Sequence, residues 1–260
     1  MNPKIASWNK QRVWVIGAST GIGAETARLL LAKGARVALS ARRLDALNAV
    51  AESHPNALAA ALDIIDHASV IAARDLILQR WQGIDLVLVV AGSYNEMRAD
   101  SFDLAAANRL IDINLRGVFN CLDAVLPILL AQRSGNGGGI GIGIVASSAG
   151  YSGLPKALIY GPTKAALINL CESLYLDLRP RGIGVYLINP GFVETPLTAA
   201  NEFPMPALIS AATAAQELVR GIERGRFHIH FPKRFTNWLR LARLLPYRLY
   251  FWLIHKGTGL

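Results

Sequence analysis

This sequence predicts a doubly wound α/β domain, with a parallel sheet of about seven strands and helices on both faces. Three observations carry that expectation. Short β-branched runs alternate with longer amphipathic stretches from residue 12 to residue 191. The strand-like runs are apolar almost throughout, and no repeat or linker interrupts the alternation. A chain of 260 residues that is 52% hydrophobic, with a mean hydropathy of +0.32, can bury such a core without disulfides or metals.

Taken in order, RVWVIG (12–17) reads as a buried strand and AETARLLLAKG (24–34) as a helix stopped by Gly34. ARVALSA (35–41) is the second strand and LDALNAVAES (44–53) the second helix. ALAAALDI (57–64) is expected as the third strand, although alanine is a weak strand former. HASVIAARDLILQRW (67–81) is helical, and IDLVLVVAG (84–92) is the most obvious strand in the chain. A long helix is expected over 103–132 with Asn114 inside it, followed by the Gly-rich turn SGNGGG (134–139). IGIGIVASS (140–148) is a strand, YGPTKAALINLCESLYLDLRP (160–180) a helix, and IGVYLINPG (183–191) and RFHIHFP (226–232) the last two strands. Residues 1–232 are expected to form one domain with a substrate loop at about 192–222, and residues 233–260 a tail.

The net charge of +9 is not spread over the domain. No acidic residue follows Glu223, whereas Arg224, Arg226, Lys233, Arg234, Arg240, Arg243, Arg248 and Lys256 do. The preceding residues are nearly neutral, so a nucleic-acid partner is not expected. Cys121 and Cys171 lie in apolar helical patterns and have no metal-ligand spacing, which reads as buried free thiols in a reducing compartment. The N-terminus has no apolar segment of the secretory kind, so a cytoplasmic location is expected.

Directly after the first strand comes GASTGIG, with Gly17, Gly21 and Gly23 leading into a helix. A pyrophosphate needs such a place: a tight turn, close backbone approach, and the free N–H groups and positive dipole end of a helix. The turn also contains Ser19, Thr20 and Ile22. The second strand ends in SARRLD, with Arg42 and Arg43 where an NAD-binding fold places an acid. Cations at a helix start oppose the helix dipole. Their placement points to the 2′-phosphate of NADP, with Arg42 leading.

Further along, Ser147 stands at a strand end, thirteen residues before Tyr160 in YGPTK, and Lys164 follows Tyr160 by one helical turn. Hydride reduction of a carbonyl leaves charge on its oxygen, which requires a proton donor and a second hydrogen bond. A phenol is too weak an acid for easy exchange at neutral pH, and a lysine ammonium nearby is expected to lower its pKa.

Together these residues resemble the short-chain dehydrogenase/reductase family, in its single-domain form of about 250 residues with a Rossmann-like sheet. The resemblance spans about 12–195 and rests on GASTGIG, Asp63 in ALDIID, Ala91-Gly92, Asn114, Ser147, Tyr160 with Lys164, and INPGFVET (188–195). It implies Tyr160 as acid/base and Lys164 as its electrostatic partner and a ribose ligand. Ser147 would position the substrate oxygen, with Ser148 as a less well spaced substitute, and Asn114 would connect Lys164 to solvent. Asp63 and Ile64 would border the adenine, and Ala91 and Gly92 would lie beside the cofactor. Pro190, Gly191, Val193 and Thr195 would border the nicotinamide. The family's N-N-A-G is VVAG (89–92) here, which bears on local backbone geometry rather than on the chemistry.

Leu197, Phe203 and Met205 in the loop after the PG motif favour a lipophilic carbonyl or alcohol. His228 and His230 share a strand face but have no third ligand nearby, so no metal is expected. In the tail, Trp238, Leu241, Leu244 and Leu245 lie beside Arg240 and Arg243, and Pro246 breaks the helix before YRLYFWLI (247–254). That pattern suits residues 233–256 to an anionic membrane surface. Covering a partner subunit or closing the pocket are the competing uses. The resemblance also implies a homodimer or homotetramer. The expected activity is NADP(H)-dependent interconversion of a carbonyl and an alcohol. An enzyme run mainly as an alcohol dehydrogenase, or a non-catalytic NADP(H) sensor, remain the alternatives.

Overall fold

The computed structural model describes residues 1–132, 139–199 and 203–259. Its sheet has seven parallel strands: β1 (Arg12–Ile16), β2 (Arg36–Ser40), β3 (Ala57–Ala59), β4 (Leu86–Val89), β5 (Gly141–Val145), β6 (Gly184–Pro190) and, in the last place, β9 (His228–Phe231). Their order across the sheet is β3-β2-β1-β4-β5-β6-β9. A small separate pair joins β7 (Val193–Glu194) to β8 (Ile209–Ser210). Strand order reverses between β1 and β4, and a sheet of this kind opens a crevice beyond the strand C-termini at such a switch point.

Both faces of the sheet are buried. Val13 and Val15 of β1 belong to one core with α1 (Gly21–Ala32), α2 (Leu44–Ala51) and α7 (Ala211–Glu223). Trp14 and Ile16 point to the other, with α3 (His67–Trp81), α5 (Gly117–Ala131) and α6 (Tyr160–Leu178). Strand alternation thus divides consecutive apolar residues between two cores, which is why these strands read as continuous hydrophobic runs. The indole of Trp14 is fully buried, and its Nε1 donates to Ser40 Oγ at 2.9 Å. The helix start expected at residue 67 is capped by Asp66, whose carboxylate accepts from Ala68 N. Cys121 and Cys171 are buried free thiols.

Three expectations are modified. The third strand is confined to Ala57–Ala59, since alanines offer little side chain to hold a longer edge. The long helix divides into α4 (Leu104–Ile111), a π-helical turn at Asp112–Arg116, and α5. The expected loop at 192–222 stops at Ser210, which caps α7 by accepting from Thr213 N. Helix α7 buries Ala214, Leu218 and Ile222 on a stripe of helical spacing, a signal its many alanines and polar residues obscured. Most of the Gly-rich turn expected at 134–139 lies outside the described residues. The segment Leu104–Ala131 is long and apolar enough to cross a membrane by composition, but α5 packs on the sheet.

Beyond β9 the tail forms α8 (Lys233–Ala242) and α9 (Tyr247–Thr258), separated at Pro246 as expected.

Candidate active site

A cleft of about 780 Å³ lies beyond the C-terminal ends of the strands. At one end is the glycine turn. Gly17 has φ +95°, and a Cβ there would lie 2.5 Å from Ala91 N, so only glycine lets the turn lie against the end of β4. At Gly23 a Cβ would run into the Gly17 carbonyl oxygen, which binds α1 tightly to the turn. Thr20 is the N-cap of α1, and among the described residues it makes no side-chain cap bond. The first turn of α1 also holds no acidic residue. Its N–H groups therefore remain open to an anion.

The valines of VVAG do not disturb the neighbouring backbone. Val89 is buried in β4, and both Val90 N and Ala91 N donate to Ile16 O, at 2.8 and 2.9 Å. Main-chain bonds secure this crossing. Gly92 has a further use: a Cβ there would lie 3.3 Å from Lys164 Nζ and 3.4 Å from Asn114 Oδ1.

Asn114 sits in the π-helical turn and is fully buried. Its Oδ1 accepts from Ser93 N at 2.7 Å, and its Nδ2 donates to Ser93 O at 2.9 Å and to Thr163 Oγ1 at 3.2 Å. The wider turn aims the side chain at the chain leaving β4, a use to which such bulges are often put. Asn114 does not line the cleft itself; it supports the residues that do.

Ser147, at the end of β5, is buried and caps the short turn Ser148–Gly150 by accepting from Ala149 N at 3.1 Å. A Cβ on Gly150 would lie 2.7 Å from the Lys164 carbonyl carbon, so glycine lets this turn rest on α6. Ser148 is buried and outside the cleft lining. Tyr160 opens α6, and Lys164, one turn on, reaches the same cleft. Lys164 Nζ donates to Val145 O at 3.0 Å and lies 5.7 Å from the Tyr160 ring centre.

The electrostatics differ from the sequence expectation. Burial pushes the Tyr160 phenol above its ordinary value, and a hydrogen bond with Ser147 only partly opposes that shift. Burial also pushes the Lys164 ammonium down to about 8. Desolvation acts on both groups here, and it outweighs the lowering of the phenol expected from the lysine. Tyr94, which sequence reasoning missed, packs edge-on to Tyr160 with ring centres 5.1 Å apart. Its own phenol is pushed up to about 12 by burial, then by Glu96 and Tyr160.

Of the expected cofactor residues, Gly17, Ser19, Thr20, Gly21, Ile22, Gly23, Arg42, Asp63, Ile64, Ala91, Gly92, Pro190, Gly191, Val193 and Thr195 all line the cleft. Arg43 does not; it is the exposed N-cap of α2. Leu197 lines the cleft, but Phe203 and Met205 do not. Phe203 instead packs against Phe192, with Lys156 Nζ 5.5 Å from its ring centre, and Lys156 is paired with Glu96 at 2.9 Å. Asn108, Arg109 and Asp112 also reach the cleft from α4 and the π-helical turn. Their arrival depends on how the helix bends, which local spacing does not encode.

His228 and His230 do share a face, with ring centres 4.7 Å apart, and each is engaged by other residues. His228 Nε2 lies 3.0 Å from both Tyr151 Oη and Asn189 Nδ2. Arg240 donates to His230 Nε2 at 3.1 Å, which leaves Nδ1 protonated to donate to Thr236 Oγ1 at 2.7 Å. Burial first, then nearby cations, pushes His228 to about 4 and His230 to about 3. Among the described residues no group of three His, Cys, Asp or Glu could hold a metal.

Comparison with known proteins bears on the family and the fold. A family described as short chain dehydrogenase matches residues 11–204. An uncharacterized oxidoreductase of Myxococcus xanthus is 34% identical over 95% of this chain and 97% of its own. That coverage leaves too few residues unmatched to omit the whole tail. An uncharacterized oxidoreductase of Staphylococcus epidermidis is 30% identical over 81% of this chain and 90% of its own. The fold is shared with a short chain dehydrogenase from Burkholderia cenocepacia crystallised with NADP, at a TM-score of 0.82 and 22% identity over 95% of this chain and 98% of that one. A short chain dehydrogenase/reductase from Burkholderia phymatum crystallised with NAD gives 0.83 at 22% identity, over 92% and 94%.

Proposed function

This chain belongs to the short-chain dehydrogenase/reductase family and is an NAD(P)-dependent oxidoreductase, and from that premise we propose that it reduces lipophilic carbonyls with NADPH, using Tyr160 as the acid. The observation that carries the reading is the convergence of Ser147, Tyr160 and Lys164 in one cleft with the glycine turn and Arg42. The open N-terminus of α1 and the glycine contacts with Ala91 and Thr195 support the fit of a dinucleotide along that cleft. Gly17 to Gly23 would hold its pyrophosphate, Arg42 the 2′-phosphate, Asp63 and Ile64 the adenine, and Gly191, Val193 and Thr195 the nicotinamide. Arg43, outside the cleft, would act only through its long-range charge.

Each side chain has a distinct task in this reading. Ser147 Oγ donates to the substrate oxygen and orients it beside Tyr160. The Tyr160 hydroxyl gives its proton to that oxygen as negative charge grows there. A nicotinamide held beside Gly191, Val193 and Thr195 would supply the hydride. The Lys164 ammonium stabilises the resulting phenolate and holds a proton to restore it, while Asn114 keeps the chain after β4 in place through Ser93. Burial makes the free phenol a weak acid, so the developing oxyanion and the lysine must together draw its proton across.

Pro196 and Leu197 in the cleft lining, and Tyr94 edge-on to Tyr160, support an apolar substrate. The same catalytic groups serve alcohol oxidation, with Tyr160 then acting as base. Exposed Phe119 on α5 and Leu176 on α6 support a homodimer or homotetramer, which light scattering of the purified protein tests directly. A cytoplasmic location, with residues 233–256 against an anionic membrane surface, completes the proposal.

The test is NADPH consumption over a panel running from long-chain and steroidal ketones to short polar ones, with Tyr160→Phe beside the wild type. Turnover on the lipophilic members, lost in the variant while NADPH still binds, is the expected result. Tight NADPH binding without turnover in either direction would replace the enzyme reading with that of a cofactor sensor.

A further inference from the structure

We propose that the outward face of the α8–α9 hairpin docks on an anionic phospholipid bilayer and thereby presents the substrate side of the cleft to carbonyls dissolved in that bilayer. The docking stands on the hairpin alone, and the delivery of substrate rests on the reductase reading above.

The inner stripe of the hairpin is already used. Leu239 and Ala242 of α8 and Tyr250 and Ile254 of α9 are buried, and Tyr250 Oη donates to Gly153 O at 2.8 Å. Ala242, Tyr250 and Ile254 pack with Leu154 into a small core of their own. The outer residues are therefore not awaiting a partner within the chain. Yet Leu244 and Tyr247 are each 79% exposed, Leu241 66%, Phe251 60% and Trp252 58%. So many large apolar side chains on one short hairpin exceed the scattered exposure normal for a soluble surface.

Charge identifies the occupant. Arg243, Arg248 and Lys256 are exposed on the same hairpin, and no acidic residue occurs after Glu223. Lys256 Nζ lies 5.2 Å from the Trp252 ring centre, which places a cation beside an interfacial aromatic. A second copy meeting this face about a two-fold axis would bring its cations into one interface with no acidic side chain from residues 224–260 to pair them. Nucleic acid would satisfy the cations and leave the leucines in water. An anionic bilayer satisfies both: the headgroups take the cations and the acyl boundary takes the leucines and aromatics. Helix α9, at 12 residues, spans about 18 Å, too short for a hydrocarbon core of about 30 Å, so it lies in the interface plane.

The hairpin is joined to both walls of the substrate side. Phe235 at the start of α8 packs on Phe192 at 5.3 Å, and a Cβ at Gly191 would lie 2.9 Å from it. Helix α9 rests on Gly153 and Leu154, within the segment that joins Ser147 to Tyr160. A surface that holds these helices also holds the cleft mouth beside it.

The experiment uses the full chain with vesicles of phosphatidylcholine, alone or mixed with phosphatidylglycerol. Co-sedimentation is expected only with the mixed vesicles and should weaken with salt. At about a fivefold loss of partitioning for each cation removed, the combined change Arg243→Gln, Arg248→Gln and Lys256→Gln should cut binding by about a hundredfold. Leu244→Ser with Phe251→Ser should abolish it. Both variants should keep wild-type NADPH turnover of a water-soluble carbonyl, whereas vesicles should raise wild-type turnover of a long-chain ketone alone. No co-sedimentation, or self-association lost in the same variants without vesicle binding, overturns the docking. Vesicle binding with equal turnover gains on both carbonyls overturns the delivery. Vesicle binding by a chain that turns over no carbonyl leaves the docking intact and removes the reductase reading.

Discussion

Arg42→Asp separates a phosphate-reading residue from a merely exposed cation. Arg42 lines the cleft at the end of β2, is solvent-exposed, and among the described residues forms no ion pair. Its replacement removes no packing, so the fold should be unaffected. A hydrogen bond to a charged group contributes about 1.5–3 kcal/mol, and exposure favours the lower half of that range. The introduced carboxylate adds repulsion from the phosphate, about 1 kcal/mol at 4 Å in water and more where solvent is partly excluded. Together these give about 2–4 kcal/mol, or a thirtyfold to thousandfold weaker Kd for NADPH, at roughly tenfold per 1.4 kcal/mol. NADH lacks the phosphate and should change by less than about threefold. Titration calorimetry with both cofactors at low salt reads the two values directly. Arg43→Asp, outside the cleft, is the control and should cost NADPH less than about tenfold. Equal losses for both cofactors with Arg42→Asp, or a larger loss at Arg43, would refute the reasoning.

Other perturbations probe separate parts of the site. Gly23→Ala should abolish binding of both cofactors while the protein remains helical by circular dichroism, because its Cβ meets backbone that cannot rotate aside; near-normal affinity would contradict the tight turn. For Lys164, with its pKa lowered to about 8, the charged form predominates below pH 8, so the reductive kcat should fall as pH rises through about 8. A pH profile flat from 7 to 9 would show that the ammonium is not needed. The two depressed histidines affect stability. An unfolded chain takes up their protons as pH falls below about 6.5, whereas the folded chain does so only near 4 and 3. Their contribution is thus complete above pH 6.5 and is lost progressively as pH falls towards 4. Discounted by half for partial exposure, the loss is about 3 kcal/mol between pH 6.5 and 4. Urea midpoints measured over that range should decline less steeply for His230→Asn, and identical slopes would remove the histidines from the explanation.

How much of this was legible beforehand varied with the kind of signal. The parallel sheet could be read because apolar strands buried on both faces have a local signature, which both cores satisfy through alternate residues of β1. The glycine turn, Arg42, Ser147, Tyr160 and Lys164 could be placed because their chemistry depends on residue type and short spacing. Helix α7 was read as loop because its buried stripe is mostly alanine, whose small contribution to any periodic signal disappears among polar neighbours. Tyr94 was missed for another reason: it meets Tyr160 only because β4 and α6 converge, and nothing within its own segment announces that.

By itself, then, the sequence determined the order in which the elements run and offered candidates for the chemistry, since both follow from local pattern. Only the tertiary structure decided which side chains share an environment. The π-helical turn aims Asn114 at Ser93, and Arg43, as the exposed N-cap of α2, stays outside the cleft that Arg42 lines. Burial, which no local pattern measures, moves the Tyr160 and Lys164 proton affinities in directions that spacing alone did not foretell. The same holds for the tail: its amphipathic pattern was visible, but which face it spends on Gly153 and Leu154 and which it leaves outward depended on where the folded domain could receive it.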